Sequence, residues 1–314
     1  MSDSAAAEVD SPETPADLRG RSWWWVVRRT VRRVVDGELT DSAAALTYYS
    51  VLSLFPGLLV LTALLGLLGH RATRSLIETI QGIGPGSGTA LLVDAIEQLD
   101  AARSLAGAAA IIGLITALWT ASGYIGAFIR AVNTIYGTEE GRPIWQTVPL
   151  RLGLTAAVML LVGLCGIGVV ASGDIAARLG DWLGVGTAGV TAWNIAKWPV
   201  LAILVSLVLA LLYWLAPNAR QLGFRWLTPG SILAVLLWIA ASTGFAVYVA
   251  DFGSYNKVYG SLAGAVIFLI WLWLTNVAVL LGAQFDADLA RGRRMERGGS
   301  PEHDPVLPPR EPPD

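Results

Sequence analysis

The stretch SLAGAVIFLIWLWLTNVAVLLGAQ, residues 261–284, decides the fold. It holds no ionisable side chain and is apolar on every face of a helix, whereas a water-facing helix keeps one polar side. At 1.5 Å per residue, about 20 such residues cross a hydrocarbon core about 30 Å thick. Working outward, five more runs of the same kind occur at 42–68, 105–128, 150–172, 195–216 and 229–250. The fold class expected is therefore all-α: a polytopic membrane protein, with residues 42–290 forming a bundle of six transmembrane helices.

Composition agrees. Of 314 residues 54% are hydrophobic and 15% charged, against about 25% charged in a soluble domain. The net charge of -2 lacks the basic excess that phosphate backbones require, so no nucleic-acid partner is expected. Cys165 is the single cysteine, and His70 and His303 have no partner at ligand spacing. This excludes an intramolecular disulfide and a cysteine-based zinc site. No nucleotide-binding motif occurs, no cofactor or metal is expected, and no residue is assigned a catalytic role.

Arginine and lysine set the orientation, because cytoplasmic loops carry the positive excess. With the N-terminus inside, 16 of the 22 Lys and Arg fall on inner segments and 6 on outer ones. Both termini are thus expected in the cytoplasm. Residues 1–21 read as a disordered leader and 291–314, rich in Arg, Pro and Glu, as a disordered tail. Between leader and first span, 22–41 reads as a basic interfacial helix. Trp23, Trp24 and Trp25 lead it, Arg28, Arg29, Arg32 and Arg33 share one face, and Val27, Val31, Val34 and Val35 turn away. On the outer side, Leu91, Leu92, Ala95, Ile96 and Leu99 recur at helical spacing after a break at Gly82, Gly84, Pro85, Gly86 and Gly88. This predicts an extracytoplasmic amphipathic helical hairpin within 69–104.

Polar groups inside an apolar bundle are costly and are the candidate functional residues. The first span offers Tyr48, Tyr49, Ser50 and Ser53, with Pro56 as a kink. Tyr49, Ser53 and Pro56 share a face, which serves either a binding role or a hydrogen-bonded bend. The second span ends with Ser122, Gly123, Tyr124, Gly126, Arg130, Asn133 and Tyr136. Gly126, Arg130 and Asn133 lie on one face, where Arg130 either holds a carboxylate or phosphate or snorkels to headgroups. The last outer loop, DFGSYNKVYGS at 251–261, places Tyr255, Asn256, Tyr259 and Gly260 in an ordered turn. Pro217 and Asn218 end the fourth span. Gly123, Gly126, Pro217 and Gly260 join Pro56 as hinge candidates. In the last span Asn276 is expected to bond between helices, and Asp286 and Asp288 lie too near the cytoplasm for an intramembrane proton relay.

Four landmarks in order carry a family resemblance: AAALTYYSVLSLFP at 43–56, the 122–136 stretch with Arg130 and Asn133, LYWLAPN at 212–218, and FGSYNKVYGSL at 252–262. Together they resemble the YihY/BrkB family of bacterial inner-membrane proteins, over about 36–289. Members have been labelled ribonuclease BN, but phosphodiester hydrolysis calls for a metal cluster or an acid and base facing water, and the matched region supplies neither. The family is also linked to serum resistance and envelope lipid export. The resemblance therefore implies a transporter of a lipid or other anionic amphiphile, with Arg130 gripping a headgroup, Asn133, Tyr48, Tyr49, Ser53, Tyr255, Asn256 and Tyr259 as further binding residues, and membrane lipids as partners. The competing expectation is a non-transporting scaffold, possible as a homo-oligomer packed through small residues such as Gly163 and Gly166.

Overall fold

The computed structural model describes residues 20–67, 108–170, 186–221, 227–250, 261–300 and 305–312, with isolated positions between 74 and 97. Seven helices occupy the described residues: α1 (Gly20–Val35), α2 (Glu38–Leu67), α3 (Ala108–Tyr136), α4 (Ile144–Val170), α5 (Gly186–Leu215), α6 (Pro229–Ala250) and α7 (Ser261–Glu296). Four contain stretches long and apolar enough to cross a membrane: Ile144–Gly168, Thr191–Leu215, Pro229–Val249 and Gly264–Glu296. α2 and α3, with 30 and 29 residues, are as long as these. Large apolar side chains such as Leu160, Ile203, Leu236 and Val247 are exposed, as befits helices whose solvent is lipid.

The expected outer hairpin and the 251–260 turn, with Tyr255, Asn256, Tyr259 and Gly260, fall largely or wholly outside the described residues. Of the hairpin, Val93 and Ile96 are described, and both are helical and buried.

α2 to α7 alternate in direction, so α1, the starts of α2, α4 and α6, and the ends of α3, α5 and α7 gather at one end of the bundle. The main core lies toward that end, where Leu46, Ile125, Phe128, Leu212, Ala234 and Leu280 are buried together. α6 and α7 cross there at two glycines. A Cβ on Gly230 or on Gly282 would collide with the other's carbonyl oxygen, so only glycine permits this backbone contact. Farther along, the Asn276 amide donates to Thr47 and Ser50 of α2, at 3.2 and 3.3 Å, and accepts from the Tyr124 hydroxyl of α3 at 3.1 Å. It ties three helices, as expected of an interhelical amide.

α1 docks on α7 through one face. Val26 packs with Phe285 and Leu289, and Thr30 donates to Asp288 Oδ2 at 2.9 Å. Asp288 is fully buried and also receives Gln284 Nε2 at 2.9 Å and Arg291 Nη1 at 3.0 Å, with Arg29 Nε of α1 at 3.2 Å. Arg291, itself buried, donates from Nη2 to the Ile135 carbonyl at the end of α3. One carboxylate thus joins α1, α7 and α3. Of the helix expected at 22–41, the part up to Val35 forms α1; Gly37, at a φ of 89°, separates it from α2, which already includes Glu38 to Asp41, and the faces of α1 are three. Val26 and Thr30 are docked, Val27, Val31 and Val35 are exposed, and the arginines lie between.

The tail departs from expectation. α7 continues through 291 to Glu296, and 305–312 are packed, with Val306 buried. The composition that suggested disorder omits what the bundle offers this segment, a set of unpaired helix-end carbonyls described below.

Breaking a buried pair by removing one partner leaves the other charge uncompensated and costs about 3–5 kcal/mol. Asp288→Asn is therefore expected to destabilise the detergent-solubilised protein by about that much, and Arg29→Gln, at the partly exposed edge, by about 1 kcal/mol. Unfolding titrations in sodium dodecyl sulfate check this. Equal small losses from both substitutions would remove Asp288 from its central position.

Candidate functional site

Two arginines face each other where α3 meets α4. Gly126 of α3 makes room for them. A Cβ there would lie 3.2 Å from Cδ and 3.3 Å from Nη1 of Arg151, and 3.7 Å from Nη1 of Arg130. Arg151 is held in place, its Nε and Nη2 donating to the Ser122 hydroxyl at 2.9 and 2.7 Å and its guanidinium lying 5.6 Å from the Trp119 ring centre. Arg130 is exposed, and its side chain makes no hydrogen bond or ion pair with another described residue. Both residues lie about 10 Å along their helices from the helix ends. Two guanidinium groups no more than about 7 Å apart repel by about 2 kcal/mol at an effective dielectric constant of about 20. No carboxylate touches either side chain among the described residues. An anion between them would turn that repulsion into two charge-assisted contacts.

Ser122 and Gly123 set the neighbouring surface. The Tyr49 ring lies against Gly123, 3.1 Å from where a Cβ would stand, and Tyr48 meets Tyr49 edge to face at 5.4 Å. Ser53 donates to the Tyr49 carbonyl at 2.7 Å, with the Ala121 carbonyl of α3 at 3.4 Å. Tyr48 is exposed. α2 is helical through position 56. Tyr49 is thereby brought against Gly123, one helical turn from Gly126 on α3, with Ser53 one turn farther along α2.

Asn133 shares the helix face with Arg130 but is spent elsewhere. It is buried, its Nδ2 donating to Glu140 Oε2 at 3.1 Å and its Oδ1 accepting the backbone N–H of Asn218 at 2.8 Å. The reason lies in the helix ends, whose last four carbonyls lack partners within the helix. α3 closes with Gly137 at a φ of 64°: the N–H groups of Gly137 and Thr138 reach the Thr134 and Asn133 carbonyls, Arg291 takes Ile135, and the N–H of Val306 from the tail takes Tyr136. α5 closes similarly. Ala216 N–H takes Leu212, Gln221 takes Tyr213, Arg310 of the tail takes Trp214 at 2.6 Å, and Arg142 takes Leu215 and Ala216. These cations sit at the negative ends of helix dipoles.

Pro217 and Asn218 form the turn that receives the tail. The Asn218 Nδ2 donates to the Glu139 and Glu311 carbonyls, its Oδ1 accepts from Glu311 N–H, and the Glu311 and Pro312 backbone crosses Gly141 where any Cβ would collide. Arg142 closes the network on Glu140 with two parallel hydrogen bonds, at 2.6 and 2.7 Å. Burial alone would raise the Glu140 carboxyl, but Arg142 and Asn133 hold it below the ordinary glutamate value of 4.5. Burial, with Arg142 as a like-charged neighbour, lowers Arg310.

Sequence reasoning missed Arg151, Glu140, Arg142 and Arg310. For Arg151 a signal exists, since it is the one charged residue in the 150–172 run. Glu140 and Arg142 pair with each other two residues apart, but Arg142 and Arg310 reach the end of α5 across more than seventy residues, which no local pattern shows.

The folded value of Glu140 lies below the unfolded one. Its contribution to stability is thus complete above about pH 4.5 and is lost as pH falls through the folded value. Glu140→Gln is expected to melt below the wild type at about pH 7, with the difference narrowing as pH falls from about 5 to about 3. Melting scans across that range check it, and a constant difference would separate Glu140 ionisation from stability.

Comparison with known proteins bears on this arrangement. The family profile described as "Virulence factor BrkB" matches residues 30–306. The chain is 30% identical over 261 residues to the "Putative ribonuclease-like protein YfkH" of Bacillus subtilis, covering 82% of this chain and 92% of that one. It is 30% identical over 298 residues to a "UPF0761 membrane protein" of Chromohalobacter salexigens, covering 89% and 67%. A UPF0761 membrane protein of Pseudoalteromonas translucida is 26% identical over 273 residues, covering 86% and 87%. No solved structure matches. The profile match takes in α2 to α7, both arginines and the helix-end network as far as Val306, and the chain belongs to the BrkB family of membrane proteins.

Proposed function

We propose that this protein moves a lipid or other anionic amphiphile across or out of a bacterial inner membrane, with Arg130 and Arg151 gripping the anionic headgroup. The observation that carries the reading is the arginine pair over Gly126, in which Arg151 is fixed by Ser122 and Trp119 while Arg130 is left unpaired among the described residues. Like charges at this depth are costly, and a phosphate or carboxylate offsets the cost bidentately. A water-soluble anion would gain little from the apolar side chains exposed around the site. An amphiphile has headgroup and chain to match both.

In this reading α2 to α7 are six membrane spans. The end bearing α1 and the tail faces the cytoplasm, in line with the 16 to 6 distribution of Lys and Arg. The protein is read as non-enzymatic. The described acidic groups nearest the site have structural work: Glu140 on Arg142, Asp286 accepting from Gly230 N–H at the start of α6, and Asp288 in its buried cluster. Asn133 acts as a positioning residue, holding the α3 end on which Arg130 stands.

In liposomes, the wild type is expected to raise the flux of a fluorescent phosphatidylglycerol above empty liposomes. Arg130→Ala or Arg151→Ala should cut the increment about tenfold or more, the worth of a hydrogen bond to a charged group. Arg130→Lys, which keeps the charge but not the fork, should retain part of it. No flux above empty liposomes from folded protein would sink the transporter reading and favour a scaffold.

A further inference from the structure

A second cationic site lies on α1, away from the Arg130 and Arg151 pair. Trp25, Arg28, Arg29, Arg32, Arg33 and Asp36 line an open concavity of about 480 Å³. Its arginines are not equivalent. Arg29 is drawn to Asp288 and lies 5.2 Å from the Trp25 ring centre. Arg33 is paired with Glu38. Arg32 has only a loose, exposed contact with Asp36, 3.7 Å away. Arg28 has no hydrogen bond or ion pair with another described residue, and Asp36 is the one carboxylate in the lining. With Arg29 and Arg33 held by Asp288 and Glu38, Arg28 and the loosely held Arg32 supply the surplus positive charge of the concavity, facing the one exposed carboxylate of Asp36.

Beside the arginines runs an apolar stripe. Trp24, Val27, Val31 and Val35 recur at helical spacing and are 67%, 40%, 57% and 79% exposed, although the opposite face of the same helix is buried against α7. Docking on α7 has already used the hydrophobic surface that holds the helix. The stripe needs another apolar partner, and the adjoining cationic concavity restricts that partner to one carrying negative charge next to hydrocarbon. A free phosphate satisfies only the concavity. A zwitterionic lipid brings a phosphate as well as chains, but its own ammonium group cancels the charge and is repelled by the neighbouring arginines, so an anionic lipid fits better.

We infer that α1 carries a binding site for an anionic phospholipid, with the phosphate held by Arg28 and Arg32 and the acyl chains lying along Trp24, Val27, Val31 and Val35. Arg29 links the site to the buried Asp288, so the headgroup sits one side chain from the cluster that fastens α1 to the bundle. The site stands independently of transport, because its residues lie on a different helix from the arginine pair.

The test uses the full chain in lipid nanodiscs containing a trace of photo-crosslinkable phosphatidylglycerol, reactive on the acyl chain, with labelled peptides identified by mass spectrometry. In the wild type, label is expected within 24–35, and the matched phosphatidylcholine probe should label that segment about tenfold less. Arg28→Gln with Arg32→Gln should bring phosphatidylglycerol labelling down to the phosphatidylcholine level. Arg130→Ala should leave it unchanged even if it abolishes flux. Excess inorganic phosphate should not compete. Equal labelling by the two probes in the wild type, a comparison that requires no variant, would overturn the inference. So would full labelling in the folded double variant, or displacement by inorganic phosphate.

Discussion

Helices that end together must have their last carbonyls bonded, and at the charged end of this bundle that requirement organises nearly everything else. α3 and α5 finish side by side, and their terminal carbonyls are taken by Arg291, Arg142, Arg310, Gln221 and the backbone of a tail more than ninety residues downstream of α5 in places. Buried beneath the tail and the neighbouring helix ends, an unsatisfied carbonyl has no water to turn to. Each guanidinium in turn needs charge compensation, which Glu140 gives Arg142 and Asp288 gives Arg291. The apolar helices thus dictate the polar network, which in turn fixes where α1 and the tail can lie.

Once the structural arginines are assigned, the remainder stand out. Arg142, Arg291 and Arg310 are bonded to helix ends, and Arg29 and Arg33 to carboxylates. Arg28 and Arg130 have no such partner among the described residues. The two sit differently: Arg130 faces Arg151 on the side of the bundle, whereas Arg28 lies on α1 beside an exposed apolar stripe. Both places combine surplus positive charge with apolar surface, a pairing that suits amphiphiles.

The six apolar runs, and the helix they each belong to, could be read from residue order because hydrophobic length and missing charge are local properties. Asn276 and the Gly126–Arg130 face were legible for the same reason. Asn133 was seen as polar, but its allegiance to Glu140 and Asn218 was not, because those partners meet only in three dimensions. The tail illustrates the limit best. Its Pro- and Arg-rich composition carries no periodic apolar signal, and what orders it is a set of acceptors on other helices. Arg151 was passed over beside a more conspicuous neighbour, although a lone arginine inside an apolar run signals a site by itself.

If Arg130 and Arg151 form the anion site proposed for them, a cryo-electron microscopy map of the full chain in nanodiscs containing phosphatidylglycerol should contain headgroup density bridging the two guanidinium groups beside Gly126, with an acyl chain extending along the neighbouring apolar surface. Arg130 paired with a carboxylate of the protein, or the gap between the arginines closed by a side chain, would contradict it.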